Sequence, residues 1–216
     1  MMIARSTGLV AIPEDLDPEE AAPILCAGIA TFNALGKCGA QPGDLVAVLG
    51  IGGLGHMALQ YARRMGFKVA AVGRGQDIAD DALNLGAHFY IDTDRQDAGR
   101  ELDRLGGATA IIATTSDPEA VSGILEGLAP HGRMMLLGAG KNVLRIPASF
   151  LVGGERDIRG SLTGSPRENE QALSFSVLTN ALPRIETLPM EQANEAYQRM
   201  KSGAAKFRMV LTMNPS

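Results

Sequence analysis

The chain has 216 residues, 45% of them hydrophobic, with 20 Lys and Arg against 24 Asp and Glu for a formal net charge of −4. That length can bury a substantial core, the acidic balance without a basic run argues against nucleic acid as a partner, and the two cysteines, Cys26 and Cys38, argue against a disulfide framework. No apolar run reaches membrane-spanning length and no basic-then-apolar signal opens the chain, so a cytoplasmic location is expected and a membrane partner is not.

In chain order, residues 1–28 hold a short strand-like piece, a loop at 12–15 and a helix opened by Asp17-Pro18. From Pro42 onward strands and helices alternate. The apolar run 45–49 predicts a first strand, and Leu54, Met57, Ala58, Tyr61, Ala62 and Met65 recur at the spacing of one buried helical face that Gly66 ends. A second strand is expected at 68–72, a helix at 78–85, a third strand at 89–91, a short helix at 97–105 and a fourth strand at 110–113. Asp117-Pro118 is an N-cap followed by proline in the first helical position, with Val121, Ile124, Leu125 and Leu128 on the buried face. Pro130-His-Gly132 reads as a turn into a fifth strand at 134–137, and a sixth is expected at 157–161.

This order predicts an α/β fold: a doubly wound, six-stranded parallel sheet over residues 29–166, in the order 3-2-1-4-5-6, with helices on both faces. Residues 167–216 carry two helical patterns and a terminal strand at 207–212. Neither flank, 1–28 or 167–216, is long enough to bury a core alone, and both read as pieces of a second domain.

The stretch Gly50-Ile-Gly-Gly-Leu-Gly55 lies between the first strand and its helix. Gly50 makes the tight turn, Gly52 offers no side chain to obstruct a pyrophosphate, and Gly55 lets helix and strand approach. Gly53 and Leu54 complete the loop, and the helix N-terminus presents N–H groups and a positive dipole end to phosphates. Strand, glycines and amphipathic helix in this order point to dinucleotide binding.

Several further motifs carry a resemblance. Ala22-Pro-Ile-Leu-Cys-Ala-Gly28, Pro42-Gly-Asp44, the glycine loop, Gln60-Tyr-Ala62, Leu85-Gly-Ala87, Gly160-Ser161, Asn194-Glu-Ala-Tyr197 and Arg208-x-Val-Leu211 follow one another as they do in zinc-dependent medium-chain alcohol dehydrogenases. The chain resembles that family along almost its whole length. The resemblance implies hydride transfer between an alcohol or aldehyde and a nicotinamide, with zinc polarising the substrate oxygen, and it makes the two flanks parts of the catalytic domain.

The family's first zinc-ligand cysteine and its Gly-His-Glu segment precede the part that matches Met2, and neither motif occurs here. Cys26 matches a further catalytic zinc ligand, and His56, His88 and His131 stand at positions unsuited to complete it, so the zinc position is expected to be vacant and no complete catalytic set is expected. The resemblance places the ribose-recognition position on Gly73, followed by Arg74. The missing carboxylate and the added guanidinium favour NADP(H) over NAD(H). By the same carry-over, Arg208 reaches the pyrophosphate, the backbone of Leu137, Gly138 and Ala139 meets the carboxamide, and Thr114 and Ser116 line the adenine side. The sixth strand would pair two copies into a homodimer. Two functional readings stay open: the cofactor-binding portion of an alcohol dehydrogenase, inactive alone, or a non-catalytic dinucleotide-binding sensor or interaction module.

Overall fold

The computed structural model describes residues 5–213. Six parallel strands form the central sheet: β1 (Leu45–Leu49), β2 (Lys68–Gly73), β3 (Phe89–Asp92), β4 (Ala108–Ala113), β5 (Leu128–Leu136) and β6 (Asp157–Gly160). Their order is β3-β2-β1-β4-β5-β6, as the alternation of elements predicted. The central strands β1 and β4 and most of β2 are fully or nearly fully buried, which is why they read as unbroken apolar runs.

Side chains alternate between the two faces of the sheet. Val46, Val48, Val69, Ala71, Ala110 and Ile112 enter one core. Leu45, Ala47, Leu49, Ala70, Val72, Ile111 and Ala113 enter the other. Helix α3 (Gly55–Arg64) crosses from β1 to β2 on the first face. Helices α5 (Ala98–Arg104) and α6 (Pro118–Gly123) cover the second through Leu102 and Val121. Both are opened by aspartate caps: Asp97 accepts from the Arg100 amide at 3.1 Å, and Asp117 from the Glu119 amide at 3.1 Å.

The flanks join the first core. Helix α1 (Pro18–Pro23) runs through a π-helical turn, Ile24–Gly28, into α2 (Ile29–Lys37) without a break. Leu16, Ala21, Ile24 and Ala27 lie in the same cluster as β1, and so do Ala172 and Leu173 of α8 (Pro166–Thr179). The Tyr61 hydroxyl and Ser176 Oγ lie 2.7 Å apart, and Phe32 and Phe175 both pack edge-on to the Tyr61 ring while lying tilted to each other. Two shorter helices complete the set so far: α4 (Ala79–Asn84) and α7 (Ala148–Gly154).

Three local expectations change. The strand expected near the start does not form among described residues 5–16, where a 3₁₀ turn stands at Ser6–Gly8. The turn expected at Pro130-His131-Gly132 is a bulge inside β5: Leu128 pairs with Ala108, but Arg133 already pairs with Ala110. His131 takes up the extra length at φ 59. Finally, β7 (Ile185–Pro189) was not expected from the sequence. It pairs in parallel with the terminal strand β8 (Arg208–Thr212), with α9 (Ala193–Ser202) between them.

Candidate functional site

The site begins where β1 turns into α3. Gly50 takes φ 90, a conformation that favours glycine, while its N–H donates to Val72 O at 2.9 Å. At Gly55 an added Cβ would lie 1.9 Å from Gly50 O, so the helix can start this close to the strand only without one. No side chain caps the first turn of α3, whose N-cap position is Leu54. The His56 and Met57 N–H groups donate to Gly52 O and Leu54 O at 3.0 and 3.1 Å, so what the turn offers a ligand is its positive dipole end and the N–H groups that precede these two.

A cavity of about 560 Å³ opens over this turn. Gly50, Gly52, Gly53 and Leu54 form one wall; Phe207, Arg208 and Met209 of the terminal segment form the other. A Cβ at Gly52 would meet nothing within 4 Å, whereas one at Gly53 would lie 2.6 Å from Arg208 Nε. That nitrogen donates to Gly53 O at 3.0 Å across 155 residues of sequence. Burial pulls the Arg208 pKa down, and the neighbouring Cys26 sulfur acts in the opposite direction. Cys26, on the π-helical turn, has an exposed side chain. The expected residues Gly50, Gly52, Gly53, Leu54, Gly55 and Arg208 thus converge.

A second cavity of about 810 Å³ adjoins the first and shares Gly50 and Thr115 with it. Gly73 and Arg74, at the end of β2, line it. Their loop is strapped from β3. The Thr93 hydroxyl donates to Gly73 O at 3.1 Å, Gly75 N–H donates to Asp92 Oδ1 at 2.8 Å, and the Tyr90 hydroxyl donates to Gly75 O. Burial, with the Asp92, Asp77 and Asp94 carboxylates nearby, pushes the Tyr90 phenol up to about 12. The Arg74 side chain is 75% exposed and stands 3.9 Å from both Asp94 and Asp117. Asp97 and Glu119 also line this cavity. Sequence reasoning missed these carboxylates, because each sits at the end of a different strand or on a following helix and only the sheet order gathers them.

Other expected residues stand apart from the Arg74 cavity. Thr114 does not line the Arg74 cavity; its hydroxyl donates to Leu49 O at 3.0 Å and Gly50 O at 2.9 Å, bracing the glycine turn. Ser116 lines neither: with Gly138 and Ala139 it borders a pocket of about 190 Å³ between the ends of β4 and β5. The ends approach so closely that a Cβ at Gly138 would fall 2.1 Å from Thr115 O. The amides of Leu137 and Gly138 both donate to Ala113 O, at 2.9 and 3.3 Å. A ligand there would meet carbonyls rather than those two N–H groups.

A family model described as zinc-binding dehydrogenase matches residues 53–177, more than half of the chain. The chain belongs to the zinc-binding dehydrogenase family. It is 40% identical over 212 residues to alcohol dehydrogenase notN of Aspergillus sp. (strain MF297-2), covering 98% of this chain and 62% of that protein. The structure resembles a cinnamyl alcohol dehydrogenase of Sorghum bicolor with a TM-score of 0.86 at 28% identity, over 96% of this chain and 60% of the other. It also resembles CAD of Helicobacter pylori, solved with NADP(H), with a TM-score of 0.79 at 30% identity, over 94% of this chain and 57% of the other. This zinc-binding dehydrogenase chain therefore spans about three fifths of the length of the relatives it matches.

Zinc fits the donor set poorly. Among the described residues no three His, Cys, Asp or Glu side chains cluster to hold a metal ion. Zinc requires at least three protein ligands at a catalytic site. The histidines are engaged elsewhere: His56 beneath Phe207, His88 between Arg63 and the Val69 amide, and His131 3.2 Å from Glu155. Cys26 is a lone thiol in this set. No helix of the described residues is long and apolar enough to cross a membrane.

Proposed function

We propose that this chain is the nicotinamide-dinucleotide-binding portion of an alcohol dehydrogenase, the longer protein exchanging a hydride between an alcohol and its aldehyde or ketone. One observation carries the reading: Arg208 is held at 3.0 Å from Gly53 O, facing the uncapped N-terminus of α3. A guanidinium and a helix N-terminus on opposite walls of one cavity suit a pyrophosphate. The adenosine ribose would then lie toward Gly73 and Arg74, and the nicotinamide toward Cys26 and the carbonyls of Leu137, Gly138 and Ala139. Residues 29–166 form the cofactor domain in this reading, with 1–28 and 167–216 belonging to the catalytic part. The location is cytoplasmic.

The cofactor is NADP(H) in preference to NAD(H). Position 73 itself carries no carboxylate to hold a ribose diol, and Arg74 is exposed beside it. A charge-assisted bond to that phosphate contributes roughly 1.5–3 kcal/mol. Asp94 and Asp117, each 3.9 Å from Arg74, compete for the guanidinium and reduce the gain. About 1 kcal/mol should remain, roughly a fivefold preference. Calorimetric titration of NADP⁺ and NAD⁺ tests this: the preference should vanish in Arg74→Ala, and equal affinities in the unaltered chain would refute it.

The chain is further proposed to pair with a second copy through β6. In the ladder to β5, Ser161 N–H donates to Leu136 O at 2.9 Å, so by alternation the N–H groups of Ile158 and Gly160 point to the open edge. Antiparallel pairing about a twofold axis would satisfy both copies at once.

A further inference from the structure

We propose that Phe207, stacked on His56, is a positioning residue that fixes Arg208 over the glycine turn for the pyrophosphate of the cofactor. The inference rests on the dinucleotide reading above and extends it to residues that present no charge to the ligand.

Phe207 occupies φ 68, a left-handed conformation that is costly for a bulky side chain. Such a conformation persists only where the surroundings hold it, and here they do so on three sides. The Phe207 ring stacks on His56 with centroids 4.9 Å apart and planes at 23°. Its neighbour Lys206 is tied twice: Nζ to Asp81 Oδ2 at 2.6 Å, and N–H to Glu186 Oε1 at 2.6 Å. On the other side Arg208 donates to Gly53 O. The left-handed residue reverses the local chain direction, so that Lys206 reaches back to α4 and Arg208 forward to the glycine turn.

His56 is suited to serve as the anvil. It is the second residue of α3, fully buried, and its Nε2 accepts the Arg184 N–H at 3.3 Å. The ring is thereby fixed to the same helix turn whose N-terminus faces the cavity. Through the stack, the terminal segment and the glycine turn become one rigid unit, and the Arg208 guanidinium is preset rather than recruited from solvent. Preorganisation of this kind reduces the ordering cost of binding.

A double-mutant cycle tests the assignment. Phe207→Gly removes the ring while tolerating the positive φ; Arg208→Ala removes the charge. Each single change should weaken NADP⁺ binding about tenfold, the size of one lost charge-assisted hydrogen bond. The double variant should lose no more than Arg208→Ala alone, because Phe207 acts through Arg208. Adenosine 2′-monophosphate, which has no 5′-phosphate, should bind all of these proteins equally. If Phe207→Gly melts far below the unaltered chain, Phe207→Leu, which keeps bulk but not the flat stack, is used in the same cycle. Additive losses, or undiminished NADP⁺ binding in the Phe207 variant, would overturn the positioning role and leave the dinucleotide reading standing. Failure of the unaltered chain to bind NADP⁺ at all would overturn both.

Discussion

Replacing Gly55 with alanine should destabilise the chain and disable the glycine turn, whereas the same change at Gly52 should affect binding alone. At Gly55 the new methyl would sit 1.9 Å from Gly50 O and 2.9 Å from Gly50 C, both backbone atoms that no rotamer change can move. Ordinary contact would require a retreat of about 1.5 Å. Helix α3 cannot retreat freely, since Met57, Ala58, Leu59, Tyr61 and Ala62 are all fully buried against its neighbours. Overpacking of this kind costs about 1–3 kcal/mol and occasionally more. Alanine regains at most about 1 kcal/mol of helix propensity, and less in the first turn. A net loss of about 1–3 kcal/mol is expected, which for a chain of this size lowers Tm by roughly 2–12 °C. A Cβ at Gly52 meets nothing within 4 Å and should leave Tm within about 1 °C while obstructing the pyrophosphate. Thermal unfolding followed by circular dichroism, with and without NADP⁺, reads both effects. A Gly55→Ala protein that melts with the unaltered chain, or a Gly52→Ala protein destabilised as much as Gly55→Ala, would refute the packing argument.

Two other outcomes follow from the structure. Burial, reinforced by the charge of Arg208, lowers the His56 pKa from 6.5 to about 4, so the unfolded chain takes up this proton first. The associated stability is complete above pH 6.5 and falls as pH drops toward 4, by about 3 kcal/mol in total; urea unfolding of the chain and of His56→Gln between pH 7 and 4.5 should show the slope in the former and a flatter one in the latter. At the sheet edge, Ile158→Pro removes an outward N–H without breaking the ladder to β5, so light scattering should report a dimer for the unaltered chain and a monomer for the variant. A dimer that survives the proline would rule out pairing through β6.

The parts legible in the sequence were those whose physics is local. Residues 45–49 and 68–72 read as strands because both of their faces are covered, which leaves little reason for polar side chains. Asp97 and Asp117 marked helix starts because capping involves only the next few residues. The start of β5 was hidden because Pro130, His131 and Gly132 are turn residues wherever they stand, and only the ladder to β4 makes them a bulge. The strand β7 was hidden because it is half-buried and pairs with a single partner. In the site, the glycine loop announced itself, but the carboxylates around Arg74 come from separate elements and meet only once the sheet order brings them together. Phe207 gave no signal at all, since a positive φ is normally announced by glycine or asparagine.

The bond between Gly53 and Arg208 also sets a clock. The glycine turn belongs to the first strand of the sheet, and the arginine that closes it follows 155 residues later. At about 5–20 residues per second, a ribosome takes roughly 8–30 s to cover that distance. During that interval the sheet can assemble from the N-terminal side while the turn still lacks its opposite wall. Affinity for the dinucleotide should therefore appear only after β8 has been made, so that cofactor capture reports the docking of that strand.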